Sequence, residues 1–420
     1  MFPPQCDARQ TLQPYAQRMQ PQPRQGDEPA PNRAATHGLE LNVRWDTLEH
    51  IAMWSPAPRI ALFPPLIGIR MPLLARSVSA LLPLMFATAC SAAPPAKSGP
   101  PDAPVTACTA KVRPGQDLQK AIDKLPQSDK PAVLCLEKGE FPLNGMVSIH
   151  RGNFTLRGQG PSTVVRMADG VQQPVLVVGD YENQQPTGVI RNVSIEDMQI
   201  VASTGDKEFM PERPYLSNSA VVVRSGQGIR LAGLQVNKCR SACLLSEYDT
   251  REITIENNDV SGAIWDGVSF NRTAKVTMVN NYIHDNVAAG LTTEHLEDSE
   301  IRNNRFERNG SQGIYLSDAR RNRFSNNQFD GNKVAGVFLA CAVRYRTPEI
   351  LCWDNSVSQD NVFENNRFAN TPFTYTIGVD RAANCTATDF KPNLWRNNQA
   401  DMPGVDIDPQ RYGYCVRQEQ

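Results

Sequence analysis

The chain has 420 residues, with 43 Lys and Arg against 44 Asp and Glu, 5 His and 10 Cys. That even charge balance gives no electrostatic footprint for nucleic acid. The sequence also contains no phosphate-cradling glycine loop, no nucleophile elbow and no zinc-ligand spacing.

Residues 1–70 are dominated early by Gln, Pro, Arg and Asp. Such a composition buries too little apolar surface to order itself, so the segment reads as disordered or as an upstream extension of the natural start. A secretory pattern follows over 71–89: Met71 to Arg76 supply a basic region, Val78 to Ala89 an apolar one, and Ala87-Thr88-Ala89 the small-residue cleavage site. The apolar run is too short for a spanning helix. Phe86 to Cys90 resembles a bacterial lipoprotein box, with Ala87 where that motif usually carries Leu. Lipidation of Cys90 and plain secretion therefore both stand. Residues 90–107, rich in Ala, Pro and Ser, read as a tether.

Beyond Cys6 and Cys90 remain Cys108, Cys135, Cys239, Cys243, Cys341, Cys352, Cys385 and Cys415. An even set after an export signal predicts disulfides, and pairing of neighbours is the simplest connectivity. A metal at Cys239 and Cys243 would need further His or Cys nearby, and none is adjacent. From Val112 to Asp123 the chain carries its best short helix, with Leu118, Ala121, Ile122 and Leu125 on one face.

Between residues 253 and 340 one unit is written four times. Asn257-Asn258, Asn280-Asn281, Asn303-Asn304 and Asn326-Asn327 are spaced by 23 residues, as are Gly267, Gly290, Gly313 and Gly336. Asn365-Asn366 and Asn397-Asn398 continue the series after 39 and 32 residues. Upstream, Gly233-Leu234 and Asp197-Met198 take the same place. Alternation of apolar and polar residues around each pair predicts short strands, three to a coil, stacked as a solenoid. The pattern resembles the right-handed parallel β-helix proteins of the pectate-lyase-like superfamily, in which an Asn ladder is a recurrent feature. That resemblance implies an all-β solenoid of about ten coils over 108–420, capped at its amino end by the helix.

Column arithmetic locates candidate chemistry. With Val268, Leu291, Ile314 and Val337 buried, one outward column is Ser269, Thr292, Tyr315 and Phe338, and another is Asn271, Glu294, Ser317 and Ala340. Strict 23-residue spacing extends these back to Ser246 and Tyr248, then by a longer step to Arg224, and a one-residue slip would instead turn Glu247 outward. Arg272, His295 and Asp318 fall at the adjoining turn. The insertion from Asp206 to Tyr215 is placed to wall this face. The Cys341 to Cys352 loop, with Arg344, Tyr345 and the adjoining Trp353, reads either as an aromatic and basic lip for an acidic sugar or as a shield for the lower end.

The resemblance implies that an extended polysaccharide lies beside this column. For a uronate polymer, a lyase or C5-epimerase requires a cation on the carboxylate, a base for the C5 proton and a proton donor. The expected roles are Arg224 or Arg272 as cation, His295 as base oriented by Glu294, and Tyr248 or Tyr315 as donor. Asn271, Thr292, Ser317, Arg344, Tyr345 and Trp353 are expected to bind substrate. The alternative is a non-catalytic glycan-binding or cell-surface β-helix protein. The family's Asp-Pro-His-Asp epimerase signature, its hydrolase signature and its dense acidic calcium cluster are missing. No metal site is assigned, although calcium at Asp266 or Asp318 stays open. The picture is a monomer in the periplasm, on the outer membrane or secreted, touching membrane only through a lipid anchor.

Overall fold

Each coil turns at a residue in the left-handed region, which Asn tolerates better than most side chains. Asn257, Asn280, Asn303, Asn326, Asn365 and Asn397 all have φ between 48° and 57°. Gly233 and Asp197 occupy the same conformation in the upstream coils, as their positions in the repeat predict. The structure, a computed structural model, describes residues 107–126, 130–341, 343–345, 351–352, 357–370, 376–380, 383, 385–402, 404–406 and 414–419. The expected export signal, Cys90 and the tether as far as residue 106 lie outside the described residues.

The second Asn of each pair points inward and carries the ladder. Asn258 Nδ2 donates to Asn281 Oδ1 at 2.9 Å, Asn281 to Asn304 at 2.8 Å, and Asn304 to Asn327 at 3.1 Å. The inserted 39- and 32-residue coils do not break it, since Asn327 bonds Asn366 at 3.1 Å and Asn366 bonds Asn398 at 2.9 Å. Two further ladders run beside it, through Asn286, Asn309 and Asn332 and through Asn322, Asn361 and Asn393. Buried amides must find partners, and here each rung supplies the next. Phe306, Phe329 and Phe368 stack in the interior with centroids 5.2 and 4.5 Å apart.

Strands of successive coils pair in parallel. Among the described residues, one column forms a ten-stranded sheet from Val147–Ile149 to Val405–Asp406, while most of the other strands merge into a 22-stranded sheet. The fold is therefore an all-β parallel solenoid. The glycine column borders the ten-stranded sheet because it has no room for a side chain: a Cβ on Gly290 would lie 2.7 Å from the Gly313 carbonyl oxygen.

The capping helix is shorter than expected. Ala110–Val112 is a strand paired with Ala132–Leu136, and the helix spans only Leu118–Asp123. Asp117 sets its start, accepting the Lys120 backbone N–H at 3.0 Å. Leu118, Ile122 and Leu125 are buried against the first coils, covering an edge that would otherwise offer unpaired strand.

Cys108–Cys135, Cys239–Cys243 and Cys385–Cys415 are disulfide-bonded, in the neighbour pairing expected. Cys341 is also disulfide-bonded, and the Cys352 side chain lies outside the described residues. By closed-loop entropy the first and third bonds, spanning 27 and 30 residues, contribute on the order of 3.5 kcal/mol each and the short second one about 2 kcal/mol.

Candidate active site on the outer face of the ten-stranded sheet

Alternation along Val268–Phe270 and Leu291–Thr293 sends Val268, Phe270, Leu291 and Thr293 inward and Ser269 and Thr292 outward. Glu294 follows Thr293 and returns to the outer side. Its backbone N–H donates to the Phe270 carbonyl at 2.8 Å, which aligns it with Asn271 one rung earlier. Glu294 Oε2 and Asn271 Oδ1 are both shielded from solvent without a hydrogen-bond partner. Burial alone pushes the Glu294 carboxyl up to about 7.

His295 sits in the turn. Its Nδ1 lies 3.0 Å from Asp318 Oδ2 and its Nε2 lies 3.2 Å from Glu297 Oε1. The Asp318 hydrogen bond raises the imidazole pKa above its ordinary value, against the opposing effect of burial. The expected orientation of His295 by Glu294 is thus corrected: Asp318 and Glu297 hold the ring. Asp318 also accepts from Arg320 Nε at 3.2 Å and from the Val357 backbone N–H at 3.2 Å.

The register slips by one residue between Leu244–Glu247 and Val268–Phe270. Leu244, Leu245 and Ser246 align with Val268, Ser269 and Phe270, and Arg224 aligns with Glu247. Ser246 is therefore buried, not outward, and bonds Thr273 Oγ1 at 2.6 Å. Glu247 takes the place expected of Tyr248, which sits in the turn at φ 57°.

Arg224 cannot serve as the substrate-neutralising cation, because it is 0% exposed and its donors are used internally. Nε donates to Glu247 at 2.7 Å, Nη1 to the carbonyls of Asp180 and Asn183 at 2.6 and 2.9 Å, and Nη2 to that of Gln184 at 2.7 Å. The rings of Tyr215 and Tyr248 lie against its guanidinium. Arg272 remains partly exposed, paired with Asp249 and stacked 5.8 Å from the Tyr248 centroid. Burial raises the Tyr248 phenol above its ordinary pKa.

Tyr315 faces outward and stacks on Phe338 at 5.5 Å. Ser317 is not available to a ligand: it is buried and its hydroxyl bonds the Thr293 carbonyl. The side chains of Arg344 and Tyr345, and all of Trp353, lie outside the described residues. Among the described residues no group of three or more His, Cys, Asp or Glu is placed to hold a metal ion.

The Asp206 to Tyr215 insertion does wall this face. Phe209–Met210 and Arg213–Ser217 form an antiparallel hairpin, whose Met210 and Leu216 pack on Val177, Val222, Ala242 and Leu245. Column reasoning named Asp266 only as an open calcium position and gave it no part in the site. Its Oδ1 accepts the Ala289 backbone N–H at 3.1 Å, yet burial pushes its carboxyl up to about 6, with Glu208 of the inserted loop adding to the rise. An Asp directly before a glycine column, in a repeat that elsewhere carries Ala289, Gln312 or Ala335 there, was the available signal.

Residues 219–366 match the family model described as a right handed beta helix region. No curated protein matches the sequence. Among solved structures, the mannuronan C-5 epimerase AlgE4 A-module of Azotobacter vinelandii is 14% identical, covering 72% of this chain and 94% of its own, with a TM-score of 0.44. A GH87 α-1,3-glucanase catalytic domain in complex with nigerose is 12% identical over 77% of this chain and 70% of its own, with a TM-score of 0.49. PfbA, a surface adhesin of Streptococcus pneumoniae, is 11% identical over 68% and 86%, with a TM-score of 0.50. The match over residues 219–366 and the stacked parallel coils define the fold class: the chain carries a right-handed β-helix region within an all-β parallel solenoid.

Proposed function

We propose that this is an exported enzyme acting on an acidic polysaccharide by abstracting a proton next to a uronate carboxylate, as a lyase or a C5-epimerase. The observation that carries the reading is Glu294: a carboxyl on the outer face of a flat parallel ladder, held near pKa 7 by burial, with one oxygen unpartnered. A general base works best when its pKa lies near the working pH.

Each role suits a group on this face. Glu294 takes the C5 proton. His295, held toward its protonated form by Asp318, together with Arg272 neutralises the substrate carboxylate as charge builds on it. In elimination the C5–H electrons form the new C4–C5 double bond, the C4–O4 bond breaks, and Tyr315 or Tyr248 gives its proton to the leaving oxygen. In epimerisation the same donor returns a proton to C5 from the opposite face, and no glycosidic bond breaks. Export rests on the sequence pattern at 71–90 and on the disulfides, which persist in oxidising compartments.

The test is incubation of the purified protein with alginate, polygalacturonate and glucuronate-containing glycans. Absorbance of unsaturated ends reports elimination, and a changed epimer ratio reports epimerisation. Product from the native protein and none from Glu294→Gln supports the reading. Binding without product, insensitive to that change, favours a glycan-binding protein instead.

A further inference from the structure

Consecutive rungs place Arg240, Ile264 and Val287 in one column at a corner of the solenoid, since the Ile264 N–H bonds the Cys239 carbonyl and the Val287 N–H bonds that of Ala263. Ile264 and Val287 are 39% and 53% exposed, two of the few large apolar residues at the surface among the described residues. Beside them stand Trp265 and Asp266. The Cys239–Cys243 disulfide fixes the corner, and the inserted loop reaches over it, with the Asp206 carbonyl accepting from Arg240 Nη2 at 3.0 Å.

Polar atoms of the corner and of the loop tied to it lack partners. Arg240 Nη1, Trp265 Nε1 and Asn218 Oδ1 are shielded from solvent and make no hydrogen bond. Asn218 is only 3% exposed, and it is anchored into the loop by its backbone N–H to the Glu208 carbonyl and its Nδ2 to the Lys207 carbonyl, both 2.8 Å. Two unpaired donors and one unpaired acceptor in a native fold call for an occupant. Glu208 and Asp266 add two carboxyls, both pushed up by burial, and the Glu208 charge is felt at Asp266.

We propose that this corner is a binding subsite for an uncharged sugar residue, whose apolar face lies on the Ile264 and Val287 ridge and whose hydroxyls meet the Trp265 N–H, Arg240, Asn218, Glu208 and Asp266. Hydroxyls both donate and accept, which suits a mixed set of orphaned groups. A uronate fits worse, because two carboxyls face one guanidinium. This inference rests on the proposed function and sharpens its substrate class. One end of the face, at Arg272, Glu294 and His295, takes a uronate. Asp266 and Glu294 are five positions and one rung apart, roughly 17 Å, which leaves room for further sugars between the two ends. The substrate is then a heteropolysaccharide containing both acidic and neutral residues, not a uronate homopolymer.

The experiment measures affinity of the full protein, by calorimetry, for hyaluronan, xanthan and gellan oligosaccharides and for alginate and polygalacturonate oligomers of matched length. The expected result is tighter binding of at least one mixed glycan than of either homopolymer. Trp265→Phe keeps a ring but removes the N–H, and is expected to weaken that binding roughly tenfold. Glu208→Gln tests the loop independently. Since the orphaned atoms are screened in the free chain, binding should also change amide hydrogen exchange across residues 205–218. The proposal is overturned if homopolymers bind as well as every mixed glycan, or if both variants bind as the native chain does. Loss of product in Glu294→Gln with mixed-glycan binding intact would separate the catalytic reading from this one. Mixed-glycan binding without product from the native chain would sink the catalytic reading alone.

Discussion

Arg224 Nε donates to Glu247 Oε1 across 2.7 Å on adjacent rungs, and the guanidinium is wholly out of solvent. The same guanidinium binds three carbonyls of the 180–184 segment, so it fastens a surface loop to the solenoid. Removing one partner of a buried pair strands the other charge, at a cost of about 3–5 kcal/mol. Arg224→Met and Glu247→Gln are each expected to lower the unfolding free energy, with the arginine change the larger because it also strands the carbonyls. Denaturant titration of both variants checks this. Equal, small effects would show that the pair contributes little.

Glu294 carries a pH signature. Its folded pKa, about 7, lies above the ordinary carboxyl value, so folding favours the protonated form. The stability linked to it is fully present below about pH 4.3 and is lost as pH rises through 7. Glu294→Gln removes this dependence, so the variant is expected to melt closer to, or above, the native protein at pH 8 and not at pH 5. The difference corresponds to about 2–3 kcal/mol at most. If the protein turns over a uronate glycan with Glu294 as base, its rate should rise with pH through about 7 as that carboxyl ionises, and Glu294→Gln should lose at least about a hundredfold.

How far the sequence spoke depended on the period. Where 23-residue spacing is strict, from Ile255 to Val337, the buried and outward columns could be read off directly, and Asn281, Asn304 and Asn327 stand where the repeat puts them. Between Glu247 and Asn271 the spacing is 24, and strict arithmetic turned Ser246 and Tyr248 to the wrong place. The carboxylate at Glu247 was the warning, since an unpaired charge does not belong in the buried column. That Arg224 would be consumed by Asp180, Asn183 and Gln184 was not legible, because those carbonyls come from a loop distant in sequence. Nor was the corner of Arg240, Trp265 and Asp266, which forms only when the inserted loop folds back over it.

The Asn pairs divide their labour, and the two halves should fail differently. Asn304 Nδ2 donates to Met278 O and Asn327 Oδ1, and its Oδ1 accepts from Asn281 Nδ2 and backbone N. Asn304→Ala leaves several buried groups unpaired and is expected to cost about 3 kcal/mol or more. Asn303, at φ 57°, bears only the left-handed turn. Replacing it with Gly should be near neutral, and with Ala should cost about 1 kcal/mol. Chemical denaturation of the three variants decides between a ladder that stabilises and one that merely accompanies the fold.

His295 and Asp318 give the last test, because their 3.0 Å contact is the first cause of the raised imidazole pKa. A histidine whose folded pKa exceeds its unfolded value contributes stability that is fully present below about pH 6.5 and disappears as pH rises through the folded pKa. Asp318→Asn keeps the shape of the contact but removes its charge. The His295 pKa, followed by NMR titration of the ring protons, is expected to fall toward or below the ordinary value. The native protein's extra stability at pH 6 relative to pH 8 should shrink with it. If His295 is the cation that neutralises the substrate carboxylate, product formation by Asp318→Asn should also decline at a lower pH than in the native enzyme. An unchanged His295 titration would assign the raised pKa to Glu297 instead and leave Asp318 as a purely structural acceptor for Arg320 and Val357.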